Sequence, residues 1–342
     1  TLIGGCGGDK ILLATPLLKW YLKHGLIVSK IYRVIEYQPV SCFKQFGDSV
    51  SAARRAGDRD VGSSITSENM QLLGNAAYGK TLTNKAMHLN VSYCRGAETG
   101  VLINNPLFKH MTQIGEDIYA VEMLKKNTIW DLPLQIGFFV YQYAKLRMLE
   151  FYYDFLDRFV DRSDFQLCEM DTDSLYLALS AATLVEVVKP HLRSEFYQVY
   201  NNWFPAETCL QHHSTFISSQ GTISFDCPSC QARQLYERRT PGLFKLEYEG
   251  SGMVSLCSKT YHCFGDYNKT STKGLTKQHN ILDKNIFLDV LTTQESQGGK
   301  NVGFRTQAGS IYTYEQHRNS LSYFYIKRQL QSDNVTTIPL SI

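Results

Sequence analysis

The stretch EMDTDSLYLAL (169–179) sets two carboxylates, Asp171 and Asp173, into a run that is otherwise apolar on both sides. Leu167 and Cys168 precede it, and Leu175, Tyr176, Leu177 and Leu179 follow. Aspartate is depleted in strands, so its presence here needs a reason. Side chains two apart on a strand share a face, so the spacing predicts that Asp171 and Asp173 converge. Two like charges on one face repel unless a cation lies between them. A divalent-metal site is one reading of the pair. A turn in which the Asp side chains bond local backbone is another. A calcium loop would need a glycine shortly after, where Leu-Tyr-Leu stands instead.

The rest of the chain predicts a mixed helix and strand protein of α+β class. Residues 16–21 read as a helix, Gly25 as a break and residues 26–37 as a strand. Residues 46–80 read as two helices joined by a Gly/Ser/Asp loop, the second opening at Ser67 and Glu68. Residues 132–160 form the longest helix candidate, and a further helix is expected over 181–200. Residues 242–250 and 252–263 read as a hairpin joined at EGSGM, and 277–292 as partly helical.

With 342 residues, 43% of them hydrophobic, the chain can bury a large core and is expected to form two or three lobes. No apolar run approaches the ~18 residues that span a bilayer, and TLIGGCGGDK lacks the apolar centre of a signal peptide. Nine cysteines, an odd number in a chain this long, do not suit a secreted disulfide scaffold. An intracellular setting is expected. The net charge of +3 conceals an asymmetry: residues 1–100 carry 12 Lys/Arg against 7 Asp/Glu, and residues 101–230 carry 9 against 16. An acidic centre between basic flanks suits a metal-dependent site in a polyanion-binding cleft, and also an unevenly charged solvated surface.

Two further segments carry chemistry. QLLGNAAYGK (71–80) combines Tyr78 with Lys80 and Lys85 just beyond, a basic segment with an aromatic handle, or simply a helix end capped at Gly79. SKTYHC (258–263) places Lys259 and Tyr261 on either side of Thr260, with Lys269, Lys273 and Lys277 downstream. On a strand the two would share a face that meets a sugar-phosphate backbone, or an exposed face without that role. A separate cluster of Cys209, His212, Cys227 and Cys230, with His213 alongside, has the spacing of a structural zinc staple; unpaired loop cysteines would give the same residues.

Taken in order, QLLGNAAYG (71–79), DTDS (171–174) and KTY (259–261) resemble the fingers, palm and thumb-proximal motifs of family B DNA polymerases. The chain is similar above all to the protein-primed branch, of Polinton/Maverick and linear-plasmid type. KIYRVIEY (30–37), GKTLTNK (79–85), TPGLFKLEYEG (240–250) and KTYHCFG (259–265) support this.

The resemblance implies a palm of antiparallel sheet with packed helices, helical fingers and a small thumb. It divides the chain into partial palm (1–48), fingers (49–90), palm with the DTDS hairpin (91–204), Cys/His loop (205–232), palm hairpin leading to the thumb (233–264) and thumb with C-terminal segment (265–342). It implies a nucleotidyltransferase that extends a primer 3′-hydroxyl on a DNA template with two Mg²⁺ ions. Asp171 and Asp173 match the metal-binding pair. Asn75 and Tyr78 match residues that line the incoming dNTP, and Lys259 and Tyr261 match the pair that steadies the primer. A terminal protein is the implied priming partner, and a mobile element the implied setting.

The departures are specific. The motif lysine that meets the triphosphate is Gln71, for which Arg54 or Arg55 is the nearest substitute in sequence. Ala76 replaces a serine, and Glu169–Met170 replace an aromatic–small pair. The family's third carboxylate has no counterpart, so the chain is expected to be a piece of a longer enzyme and inactive alone. A catalytically decayed nucleic-acid-binding remnant and a metal-dependent nuclease are the alternatives.

Overall fold

Local sequence dictates the helices first. α1 (Thr15–Lys23) begins with Pro16 in its first turn, where the missing N–H costs nothing. α2 (Lys44–Arg59) is supported by the i,i+4 ion pair Lys44–Asp48 at 2.6 Å. It ends at Asp60, whose carboxylate accepts from the Gly62 N–H and the Ser63 hydroxyl, both at 3.0 Å. α3 (Ser64–Thr81) follows. These contacts belong to a computed structural model of the chain, which describes residues 9–206, 228–307, 310–323, 328–330 and 337–339.

The chain divides into two compact units, residues 40–142 and residues 1–39 with 143–342. The first takes in the 49–90 segment together with residues 91–142, which the sequence reading separates. Its helices α2 and α3 approach at Val50/Gly74, Arg54/Gln71 and Gly57/Ser67, pairs that run in opposite directions and so define an antiparallel helical hairpin. α3 starts at Ser64, one turn before the expected Ser67, because the Asp60 turn already satisfies the helix entry; the Ser67 hydroxyl instead donates to the Arg54 carbonyl of α2 at 3.4 Å. It also runs through Gly79 to Thr81, so Gly79 is not its cap. Next come β1 (Leu89–Cys94), α4 (Gly96–Ile103), β2 (Phe108–Gly115) and β3 (Ile118–Leu124), an antiparallel sheet of order β1-β3-β2. Cys94, Val121 and Met123 form its core, with Leu102, Phe108 and Met111 packed on them.

In the other unit, the helical run expected over 132–160 is borne out. It comprises α5 (Leu134–Leu149, whose first turns belong to the 40–142 unit), a wider π-helical segment Glu150–Leu156, and α6 (Asp157–Phe159). Phe151, Phe155 and Phe159 recur every fourth residue and pack against Phe196 of α7 (Arg193–Tyr200) and against Trp203. The expected 181–200 helix is shortened: Pro190 opens a single 3-10 turn and α7 only then begins. β4 (Phe165–Asp171) and β5 (Ser174–Leu179) form an antiparallel hairpin on this aromatic core.

A second hairpin pairs β6 (Gly252–Cys257) with β7 (Thr260–Phe264), and β8 (Lys269–Ser271) adds to β7. The expected hairpin joined at EGSGM is therefore corrected: residues 243–250 are not strand, and the turn is Ser258–Lys259. The helix Lys284–Thr293 buries Phe287 and Val290 against Val254 and Leu256, in agreement with the helical expectation there. Residues 26–37 are not a strand: their apolar side chains, Ile27, Ile31, Val34 and Ile35 among them, are exposed, and no ladder partner pairs with them among the described residues. The protein is of α+β class with small antiparallel sheets, and no helix among the described residues is long and apolar enough to cross a membrane.

Candidate functional site

The phase of β4 decides where its carboxylates point. Phe165 opposes Leu179, Leu167 opposes Leu177 and Met170 opposes Leu175; of these, Phe165, Leu167, Leu175, Leu177 and Leu179 line the aromatic core. Without interruption, Glu169 and Asp171 would share the face of Leu167. A register shift between Leu167 and Glu169 moves both to the opposite face, where Glu169 opposes Tyr176 and Asp171 opposes Ser174. A bulge at Cys168 is thus what keeps the carboxylates out of the core.

The strand does not continue through the two aspartates as the alternation predicts. Thr172 and Asp173 form a two-residue loop, because Asp171 pairs with Ser174 across the hairpin. Thr172 has φ 30°, a costly value for a β-branched residue. Asp171 ends β4 and is half-buried; Asp173 lies exposed at the tip. The side chains that share a strand face with Asp171 are therefore Glu169 and Ser174.

The β6–β7 turn meets this hairpin. The Ser258 hydroxyl donates to the Met170 carbonyl at 3.2 Å, and the Lys259 backbone N–H donates to Glu169 Oε1 at 2.9 Å. Lys259 Nζ lies 2.9 Å from Asp171 Oδ2, and Asp173 and Glu169 add to the same negative field. Lys259 has φ 65°, so it sits in the turn and does not flank Thr260 on a strand as the sequence predicts. Tyr261 does lie on β7, half-buried, with its hydroxyl 3.0 Å from that of Tyr176 and the rings 4.9 Å apart. Lys269 Nζ lies 5.5 Å from the Tyr176 ring centre. Lys273 is exposed but close enough for its charge to act on Glu169, while Lys277 lies in a separate 3-10 turn.

The electrostatics follow from burial. Glu169 is only 7% exposed, and desolvation pushes its carboxyl above the usual range. The Lys259 N–H pulls it back, the Asp171 charge raises it, and Lys273 and Lys259 lower it. The ammonium of Lys259 is held protonated above its ordinary range by the hydrogen bond to Asp171. Burial and the Tyr176 contact push Tyr261 upward, so it stays a neutral phenol, and burial pushes the Cys263 thiol up to about 11.

The donor set suits a hard cation. Carboxylate oxygens are the ligands Mg²⁺ prefers, and Mg²⁺ commonly takes one or two of them and completes its shell with water and phosphate. Among the described residues no three Asp, Glu, His or Cys side chains converge as a ready-made cage. The lysine on Asp171 shows that the position accepts positive charge.

In the 40–142 unit, Gln71, Asn75 and Tyr78 fall at i, i+4 and i+7 of α3 and share one face. Arg54 Nη2 of α2 donates to Gln71 Oε1 at 3.1 Å, so a guanidinium stands beside the neutral amide. Asn75 is exposed; Tyr78 is half-buried and meets the Tyr141 ring edge-on at 5.8 Å. The Tyr78 carbonyl accepts from the buried Thr81 hydroxyl, which in turn accepts from the Gly137 N–H at 3.1 Å. Cys209, His212, His213 and Cys227 lie outside the described residues, as does the side chain of Cys230.

Sequence reasoning missed Glu169 as a member of the site, although a third carboxylate two residues before Asp171 in an apolar strand was a usable signal. Tyr176 was also missed, hidden among the leucines. Comparison with protein-family models, with curated proteins and with solved structures gives no match for this chain.

Proposed function

We propose that the chain is the palm, fingers and thumb portion of a template-directed DNA polymerase of protein-primed family B type, acting within a longer enzyme. The observation that carries this reading is the meeting of the DTDS and KTY turns, far apart in sequence, through the 2.9 Å Lys259–Asp171 ion pair. Both turns close antiparallel hairpins, and the Ser258–Met170 and Lys259–Glu169 hydrogen bonds hold the two together.

In this reading Asp171 and Asp173 hold the cations at the exposed tip. Mg²⁺, when bound, supplies polarisation of the phosphate and activation of the primer 3′-hydroxyl. Lys259 and Tyr261 hold the primer backbone, the ammonium by charge and the neutral phenol by its ring and hydroxyl. The resemblance assigns Asn75 and Tyr78 to the dNTP, and within the 40–142 unit Arg54 brings to Gln71 the positive charge that the amide lacks. Lys273 and Lys277 extend the basic track along the duplex. Catalysis then consists of positioning and charge neutralisation. A terminal protein primer is the partner that the resemblance adds.

Gln71 favours a second reading, a nucleic-acid-binding remnant that keeps the fold but not the chemistry. Primer extension by the longer chain, with Gln71 and with Gln71→Lys, separates the two. Extension with either residue supports the polymerase, extension only with lysine supports decay, and primer degradation without extension indicates a nuclease.

A further inference from the structure

We propose that Lys259 is a built-in counter-cation that competes with a divalent metal for Asp171, so that metal entry requires the ammonium to swing away. The inference rests on the metal assignment in the polymerase reading, and it concerns the state of the site before nucleotide arrives.

Three observations carry it. The Lys259 ammonium sits 2.9 Å from Asp171 Oδ2, within the field of Asp173 and Glu169, where an entering cation would also be drawn. The lysine is not merely long enough to reach: its backbone is fixed at φ 65° and pinned by the N–H to Glu169 Oε1, so the turn presents the side chain to Asp171. Its side chain is 55% exposed and that of Asp171 25%, so the ammonium can leave for solvent or for a phosphate without unpacking anything. An ammonium at Asp171 Oδ2 takes one of the carboxylate's lone-pair directions and, as a like charge, repels a divalent cation approaching the same oxygen, so the two compete. A nucleic-acid phosphate that draws Lys259 away would therefore open Asp171 to the metal. This couples the binding of substrate to that of the cation.

The test uses Mn²⁺ as the probe, with free ion counted by electron paramagnetic resonance on the whole chain without nucleic acid. Asparagine accepts the left-handed conformation of residue 259 and removes the charge. Lys259→Asn is expected to bind Mn²⁺ about two- to fivefold more tightly than wild type, the range that an exposed ion pair yields. Lys259→Arg should not tighten binding, and Asp171→Asn should abolish it. Unchanged or weaker binding in Lys259→Asn, with Asp171→Asn abolishing it, overturns the competition and leaves the polymerase reading standing. No Mn²⁺ binding by wild type, or binding that survives Asp171→Asn, overturns the metal assignment together with this proposal. Tighter binding in Lys259→Asn alongside a longer chain that never extends a primer upholds the competition and sinks the polymerase reading.

Discussion

The backbone N–H of Lys259 donates to the buried carboxylate of Glu169 at 2.9 Å, joining the tips of two hairpins that are ninety residues apart in sequence. Removing the acceptor breaks a part-buried hydrogen bond to a carboxylate, which is worth about 1–3 kcal/mol. Glu169→Leu should lose that amount in urea denaturation, while Glu169→Gln, which keeps an acceptor oxygen, should lose little.

The same residue predicts a pH dependence. Burial raises the Glu169 carboxyl above its unfolded value, so its favourable contribution is complete at acid pH and declines as pH rises through the folded pKa. Glu169→Gln should therefore gain stability relative to wild type between pH 4 and pH 7. Melting temperatures across that window measure it, and a gap that does not change with pH contradicts the assignment.

Thr172 holds φ 30° at the first position of a two-residue hairpin loop, where glycine is most at ease. Thr172→Gly should raise stability by up to about 1 kcal/mol, because relieved strain exceeds the added freedom of the unfolded chain. Chemical denaturation checks this.

Gly137 lies where a Cβ would stand 2.7 Å from both Leu82 Cδ1 and Thr81 Oγ1. Gly137→Ala should destabilise the 40–142 unit by about 1–3 kcal/mol, since neither the branched leucine nor the hydrogen-bonded threonine can retreat freely. On the proposed role at the dNTP of Tyr78, whose carbonyl accepts from Thr81, Gly137→Ala should also weaken nucleotide binding measured by fluorescence titration.

How much of this was legible in the sequence depends on the residue. The long helix ending in Phe151, Phe155 and Phe159 follows from apolar spacing and the two helices α2 and α3 from the Gly/Ser/Asp loop between them, whereas the strand alternation runs past the turn at Thr172–Asp173. The bulge at Cys168 left no signal, because a one-residue register shift changes no residue type. The Ser258–Lys259 turn was missed for a similar reason: it contains neither glycine nor asparagine, whereas EGSGM nearby has two glycines. Residues 26–37 have strand-forming composition, but strand identity is conferred by a partner, and none pairs with them among the described residues. Glu169 was visible as a departure from a motif, and only the fold shows that it supports the lysine turn.

Lys259 also bears on nucleic-acid affinity. If it meets a primer phosphate, Lys259→Asn should weaken primer–template binding severalfold and lower the salt slope of binding by about one. Fluorescence anisotropy at several salt concentrations measures both.

The central claim is that the DTDS tip grips the cations at which a triphosphate reacts. Primer extension by the longer chain in Mg²⁺, comparing wild type with Asp173→Asn, tests it most directly. A fall of about a hundredfold or more, with primer–template still bound, is the predicted result. Undiminished extension by Asp173→Asn would contradict it.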